Sequence, residues 1–521
     1  MVKVFDFDKE HYLIYDAKPN VLFSLTHHDF DAMVKLMILQ DRGDLVVDEL
    51  TAEELDLLER LTALEQRGVM CPGPLSQLFD TSGAAIEDMI EYYRDNIFMR
   101  KFVIEVTERC NMACRYCPNT HTERTRHHTD RQMSHYISQR SVDFYFELYA
   151  KFFGKLPDSH RKKFLKNFPP TIGFYGGETF LNWDVMEKAI LYYENLDWET
   201  CGIPRAKLMV TINTNLYLLK EEWLDFIIKH RPILFVSLDG PREENDKNRV
   251  DLAGNGTFER VFRNLMRIKD KDENYYKEKV FILTTEVLGN NIGLVHEFID
   301  GLGLNVIYSP EQPFDSIVGE PEKRIEELEN DLPRRTGKAM DELIEKFEKD
   351  SDCSLEPVND VSKLCGISTS LPPHKKEKNV FMSCPLCFDN IMIGVDGSFH
   401  FCHKTDGSLP LGNIIEGFNE ERLRDAYRQF ATATNNKLCR SCWAVNQCYY
   451  CAANWLRDGK FRHPHYADCR HLRASLEQSF KVYIELYKRK PELLDKLWEQ
   501  RHNLDHHQGI LDINKFLSSP V

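Results

Sequence analysis

Between residues 98 and 330, six apolar, β-branched runs alternate with amphipathic segments, and this alternation limits the fold more than any other feature. The runs are KFVIEV (101–106), TIGFY (171–175), KLMVTIN (207–213), ILFVSLD (233–239), KVFILTTEV (279–287) and LNVIYS (304–309). Helical periodicity fills the spacers near 134–154, 183–196, 219–230, 257–270, 291–301 and 320–348. Such alternation implies a parallel sheet, because parallel neighbours need a crossover between them. Six units fall short of the eight of a closed barrel. The expected fold class is therefore α/β, an open partial (β/α)6 barrel.

The flanks read differently. Residues 1–97 carry three short runs, VKVFDF, HYLIYD and NVLFSL, parted by turn-forming residues, then helical patterns. A small antiparallel sheet followed by helices is expected, an α+β domain. Thr51 and Glu54 form a capping-box pattern at the head of a helix predicted over 53–66 and ended by Gly68. Residues 331–380 read as a helix and a polar linker containing LPPHKKEK. Residues 381–475 hold most of the cysteines, and 476–521 read as helical.

Charge excludes one class of partner. Lys plus Arg number 67 and Asp plus Glu 82, a net charge of −15. A chain of this sign repels a phosphate backbone, so no nucleic acid is expected. No stretch reaches the roughly 20 apolar residues of a membrane helix, and MVKVFDFDKEHY lacks a signal-peptide core. A cytoplasmic chain without membrane contact is expected. Its fifteen cysteines are then not a disulfide framework, and clusters of them point to metal or to chemistry.

The cysteines gather in two regions. Cys110, Cys114 and Cys117 follow the first predicted strand in VTERCNMACRYCPNT. Three thiolates on one loop suit three irons of a [4Fe–4S] cube and leave the fourth iron open. Strand ends are also where such barrels place active sites. The competing reading is a zinc site with His121 as fourth ligand.

With Tyr116 before the last thiol, this motif resembles the radical S-adenosylmethionine (radical SAM) superfamily. The resemblance implies that the open iron chelates S-adenosyl-L-methionine and that one electron releases a 5′-deoxyadenosyl radical. Three further strand ends resemble the family's cofactor contacts. Gly176, Gly177 and Glu178 are similar to its Gly-Gly-Glu, although Thr179 stands where Pro is frequent. Thr214 and Asn215 are similar to its Thr-Asn-Gly, with Leu216 in place of Gly. Ser237, in Ser-Leu-Asp-Gly, and Arg249 are similar to its ribose or carboxylate contacts.

The second region runs Cys387, Gly397, Cys402, Cys439, Cys442, Cys448, Cys451 and Cys469. It resembles the SPASM auxiliary-cluster domain, with x2 before Cys451 where x3 is usual. The resemblance implies two auxiliary [4Fe–4S] clusters, three in all with the catalytic one. Cys387, Cys402 and Cys451 would hold the first, with Cys384 the nearest candidate for its fourth ligand. Cys353 and Cys365 are further candidates for that place. Cys439, Cys442, Cys448 and Cys469 would hold the second. Zinc ribbons are the alternative. Trp443, Tyr449 and Tyr450 would keep water from these clusters or simply fill the core.

SPASM-type enzymes modify peptides or proteins, and the N-terminal unit resembles the leader-recognition element of thioether-forming maturases of ribosomal peptides. An edge strand there would capture an extended peptide. The loop 118–135, with His121, His127, His128, His135 and several Arg, would contact an acidic leader or cover the site. The expected function is hydrogen abstraction from a ribosomally made, possibly Cys-rich precursor peptide, followed by a thioether cross-link. An external donor such as flavodoxin or ferredoxin would supply electrons. The rivals are a carbon–carbon cross-linking maturase, a formylglycine-forming sulfatase activator and, from another class, a zinc-stabilised peptide-binding protein without catalysis.

Overall fold

Three short strands open the chain: β1 (Val2–Asp6), β2 (His11–Asp16) and β3 (Val21–Thr26). They pair antiparallel in the order β1-β2-β3. Period-two alternation gives this sheet two apolar faces. Ile14, Phe23 and Leu25 pack on Met33, Leu36, Leu57, Leu61 and Leu64 of the helices His27–Arg42 and Ala52–Gln66. Phe5, Leu13 and Tyr15 pack on Phe480, Tyr483 and Leu486 of the C-terminal helix Tyr466–Arg489. The expected capping box is formed: Thr51 Oγ1 accepts the Glu54 N–H at 3.2 Å, and Glu54 accepts the Thr51 N–H at 2.9 Å. Gly68 lies outside the described residues. This computed structural model describes residues 2–17, 21–67, 82–99, 101–120, 127–287, 290–310, part of 326–349, 390–405, 407–445, 448, 455–463 and 466–502.

The six expected central strands are all present: β4 (Lys101–Thr107), β5 (Thr171–Gly176), β6 (Met209–Thr214), β7 (Ile233–Ser237), β8 (Val280–Glu286) and β9 (Asn305–Pro310). Neighbours pair in parallel and in chain order. Helices such as His135–Lys155, Trp183–Asn195 and Phe258–Lys271 provide the crossovers. One face of the sheet is dry: Ile104, Val106, Ile172, Phe174, Ile212, Leu234, Val236 and Ile282 are buried beneath the helices. Each such side chain contributes about 1.5–3 kcal/mol of burial. The alternate positions Tyr175, Asn213, Phe235, Ser237, Leu283 and Thr285 are half-buried and line the opposite face. That face is polar enough to receive a substrate.

Two further strands extend the sheet. β10 (Asn390–Ile393) lies parallel to β4, with Asn390 opposite Lys101 and Ile393 opposite Ile104. β11 (Phe399–His400) returns antiparallel to it. The sheet order is thus β11-β10-β4-β5-β6-β7-β8-β9. The seventh parallel strand comes from the cysteine-rich region and was not foreseen in the sequence. Gly397 sits in the β10–β11 turn at φ +85°, where a side chain would be strained and its Cβ would meet Ile414. The glycine at position 397 thus has a backbone cause.

Candidate active site

The loop after β4 carries Cys110, Cys114 and Cys117, and backbone hydrogen bonds grip it from both sides. On one side, Gly177 N–H donates to Thr107 O at 2.9 Å and Glu178 N–H to Arg109 O at 2.8 Å. On the other, Ala113 N–H donates to Val250 O and Arg115 N–H to Asn248 O, both at 2.9 Å. The two glycines are explained by this docking. A Cβ on Gly176 would lie 2.3 Å from Thr107 O, and one on Gly177 would lie 2.2 Å from Arg109 O. Their first service is close approach to the cysteine loop, where the sequence had suggested approach to a ligand.

Cys114 is buried, and Cys110 and Cys117 are half-buried. Burial, with Glu178 nearby, pushes the Cys110 thiol up to about 12. Burial also raises Cys114. At Cys117 burial acts in the same direction, but the neighbouring His128 outweighs it and the thiol is held below its ordinary value. His128 Nε2 lies 3.9 Å from Cys117 Sγ, while its Nδ1 faces Glu108 O at 3.0 Å. Cys110 and Cys114, so reluctant to ionise, need a cation to become ligands. Among the described residues no three His, Cys, Asp or Glu side chains converge as ligands of one ion. A cube would take each of these thiolates on a different iron. His121, the suggested zinc ligand, lies outside the described residues.

Glu178 joins the ends of β5 and β6. Its Oε1 accepts the Thr214 hydroxyl at 2.7 Å and the Phe180 N–H at 3.0 Å, and its Oε2 accepts the Asn215 N–H at 2.7 Å. The carboxyl is buried, which raises it above the usual carboxylate range against these three donors. Asn215 Nδ2 reaches back to Asn111 Oδ1 at 2.8 Å and lies 3.9 Å from Cys110 Sγ. Leu216 keeps a left-handed backbone, φ +53°, although it replaces the glycine of the resembled motif.

Beyond β7, Tyr116 Oη donates to Asp239 Oδ2 at 2.6 Å and accepts from Arg249 Nη1 at 2.6 Å. Asp239 Oδ1 accepts the Thr285 N–H at 2.9 Å. Burial pushes the Tyr116 phenol well up, so it remains a donor. Arg249 Nε is buried without a hydrogen-bond partner. An unsatisfied buried guanidinium N–H is a ready contact for an incoming anion. Ser237 is half-buried at the end of β7, on the same rim. Cys110, Cys114, Cys117, Gly176, Gly177, Glu178, Thr214, Asn215, Ser237 and Arg249 thus all stand at the C-terminal ends of β4–β7 or in the loops that follow.

The second cysteine region is described in part. Cys384, Cys387 and Cys451, with Tyr449 and Tyr450, lie outside the described residues. Cys402 Sγ is 3.4 Å from His403 Nδ1, and the His403 ring is 4.9 Å from that of Tyr175 at the end of β5. This contact brings the cysteine-rich region to the barrel rim. Cys439 Sγ faces Asn436 Nδ2 at 3.3 Å and His463 Nε2 at 3.5 Å. Cys442 and Cys448 follow it, and Cys469 lies on the helix Tyr466–Arg489. Trp443 packs at 6.2 Å from Phe480, in the apolar cluster shared with the N-terminal sheet.

The loop 118–135 is described except for residues 121–126. His135 begins the helix His135–Lys155 and pairs with Asp184 at 2.8 Å. Arg131 is engaged with Glu108 and with Asp396. Tyr175, His403 and Asp239 are site neighbours that sequence reasoning did not single out, and His128 was named there only as one of several histidines of its loop. The motif order alone pointed to Asp239, which lies within Ser-Leu-Asp-Gly.

Comparison with known proteins agrees with this geometry. The radical SAM superfamily model matches residues 104–291. The cysteine-type anaerobic sulfatase-maturating enzyme of Clostridium novyi is 29% identical over 115 residues, 22% of this chain and 28% of that one. The serine-type enzyme of Bacteroides thetaiotaomicron is 24% identical over 166 residues, 31% of this chain and 34% of that one. The chain thus spans about a third or less of these curated relatives. The solved structure of anSMEcpe with bound AdoMet and Cp18Cys peptide matches with a TM-score of 0.51 at 17% identity, over 77% of this chain and 99% of that one. Residues 104–291 thus form a radical SAM domain.

Proposed function

We propose that this enzyme matures a peptide or protein substrate, and that it installs a Cys thioether in a ribosomally made precursor. The observation that carries the reading is the three-thiol loop held between the Gly176-Gly177-Glu178 turn and the Asn248–Val250 segment, beside an unsatisfied Arg249. Cys110, Cys114 and Cys117 would hold the catalytic [4Fe–4S] cluster. Glu178, Thr214, Asn215, Ser237 and Arg249 would orient S-adenosyl-L-methionine. Bound together, cluster and cofactor supply one electron and a 5′-deoxyadenosyl radical, which takes a hydrogen atom from a substrate carbon.

The chain's own residues frame that chemistry. The dry helical face fixes the sheet, and the Tyr175–Thr285 face offers room for a peptide beside the rim. Thioether formation removes two hydrogens: one atom leaves with the adenosyl group, and the thiol proton and one electron follow. Cys402, whose neighbour His403 packs on Tyr175, would hold an auxiliary cluster, a group whose chemistry would supply an acceptor for that electron. Cys384, Cys387, Cys402 and Cys451, and Cys439, Cys442, Cys448 and Cys469, would hold the two auxiliary clusters. β3 is an edge strand of the N-terminal sheet, suited to pairing with a leader peptide. A flavodoxin or ferredoxin would be the external donor, and the setting the cytoplasm.

A second reading is formylglycine formation in a sulfatase, favoured by the relatives that mature sulfatases. Anaerobic reconstitution and co-expression with a Cys-rich peptide separate the two. Loss of two hydrogens with a blocked thiol supports the thioether, and conversion of Cys or Ser to an aldehyde supports the alternative. Wild-type enzyme should release 5′-deoxyadenosine under reduction. Retention of that release after alanine replaces Cys110, Cys114 and Cys117 would overturn both.

A further inference from the structure

We propose that Tyr116 is a positioning residue that couples cofactor binding at Arg249 to the loop holding Cys114 and Cys117. The proposal rests on the reading of Arg249 as the contact for the cofactor's carboxylate.

The geometry is unusual for a buried Arg and Asp. Arg249 Nη1 stops 3.9 Å from Asp239 Oδ2, at the edge of an ion pair. The phenol of Tyr116 fills the gap with two hydrogen bonds of 2.6 Å. Direct Arg–carboxylate pairing is commonly bidentate and would engage more of the guanidinium. Here Nε stays buried and unsatisfied. Such a group costs free energy unless a partner arrives. Asp239 cannot move to meet it, because Thr285 N–H holds its other oxygen and Asn245 Oδ1 accepts its backbone N–H at 3.2 Å.

Tyr116 stands between Cys114 and Cys117 in the chain, so its hydroxyl fixes the middle of the cluster loop to β7 and to Arg249. An anion that draws Arg249 toward it therefore pulls on the loop as well. Loop position and anion binding become linked through one oxygen atom. A neutral, flanked hydroxyl suits this task, since it donates to the carboxylate and accepts from the guanidinium at once.

The test uses Tyr116→Phe in the full-length chain, reconstituted anaerobically. The ring stays and only the bridge is lost. Iron content should match wild type, S-adenosyl-L-methionine should bind about tenfold more weakly, and the change it causes in the spectrum of the reduced cluster should shrink. If Tyr116→Phe incorporates less iron, Asp239→Asn takes its place. Its neutral amide removes the charge that holds the phenol and should weaken binding in the same direction with full iron, and wild-type affinity there would overturn the proposal. Tyr116→Phe with full iron, wild-type affinity and an unchanged spectral response would overturn the proposal. Arg249→Lys with wild-type affinity would overturn it differently, by removing the carboxylate reading beneath it.

Discussion

The Glu178 carboxylate accepts the backbone N–H of Asn215 at 2.7 Å, and through this bond the ends of β5 and β6 share one buried anion. Two more donors, Thr214 Oγ1 and Phe180 N–H, complete its shell. Glu178→Ala should leave all three unsatisfied, at about 1–3 kcal/mol for each buried group. We expect a loss of about 3 kcal/mol or more in denaturant unfolding. Glu178→Gln keeps the acceptor oxygen and should lose less stability, while weakening cofactor binding about tenfold by calorimetric titration.

Gly177→Ala should disturb the cluster loop specifically. Its Cβ would meet Arg109 O at 2.2 Å and Arg109 C at 2.5 Å, backbone atoms that cannot swing aside. Forced displacement of this kind costs about 1–3 kcal/mol. Iron bound per chain should fall relative to wild type by the amount of one cluster. Gly154→Ala, in the helix His135–Lys155 with nothing within 4 Å, is the control. It should leave iron unchanged and raise stability by about 0.5–1 kcal/mol.

Leu216 sets two effects against each other. Its left-handed backbone, φ +53°, costs about 1–2 kcal/mol, which glycine would recover. Its side chain is fully buried, and removing a buried Leu costs about 2–5 kcal/mol. Burial wins, so Leu216→Gly should destabilise by about 2 kcal/mol. Leu216→Val, β-branched at positive φ, should be no more stable than Leu216→Gly. Thermal unfolding of the two variants checks the order.

Acid should loosen the head of the helix Ala52–Gln66. The Lys35 ammonium, with the Thr51 N–H, lowers Glu54 to about 2 from the usual 4.5. The folded pKa lies below the unfolded one, so the unfolded chain binds the proton more tightly between them. The contribution is then complete above about 4.5 and is lost as pH falls toward 2. Side-chain NMR titration of Glu54 should show this midpoint, and Lys35→Met should move it upward.

Much of the barrel was legible because its strands obey local rules. Ile172, Phe174, Ile212, Leu234 and Val236 repeat every second residue, and helical spacers follow each run. The site motifs were legible for the same reason, since each falls just after a strand. β10 was not. Its four residues, NIMI, pair with β4 across almost three hundred residues, and no period in the chain announces a partner so distant. His128 was hidden differently. It was visible among several histidines of one loop, but only the hydrogen bond to Glu108 O turns this one toward Cys117. The conformation at Leu216 was unreadable because packing overrides the preference for glycine.

The strand Asn390–Ile393 covers the edge of β4, the strand that delivers Cys110 to its place. A ribosome must therefore finish about three-quarters of the chain before the edge of β4 is covered. Until then β4 offers an open ladder of amides and carbonyls to any passing strand. Nascent chains stalled before residue 390 should consequently be prone to aggregate.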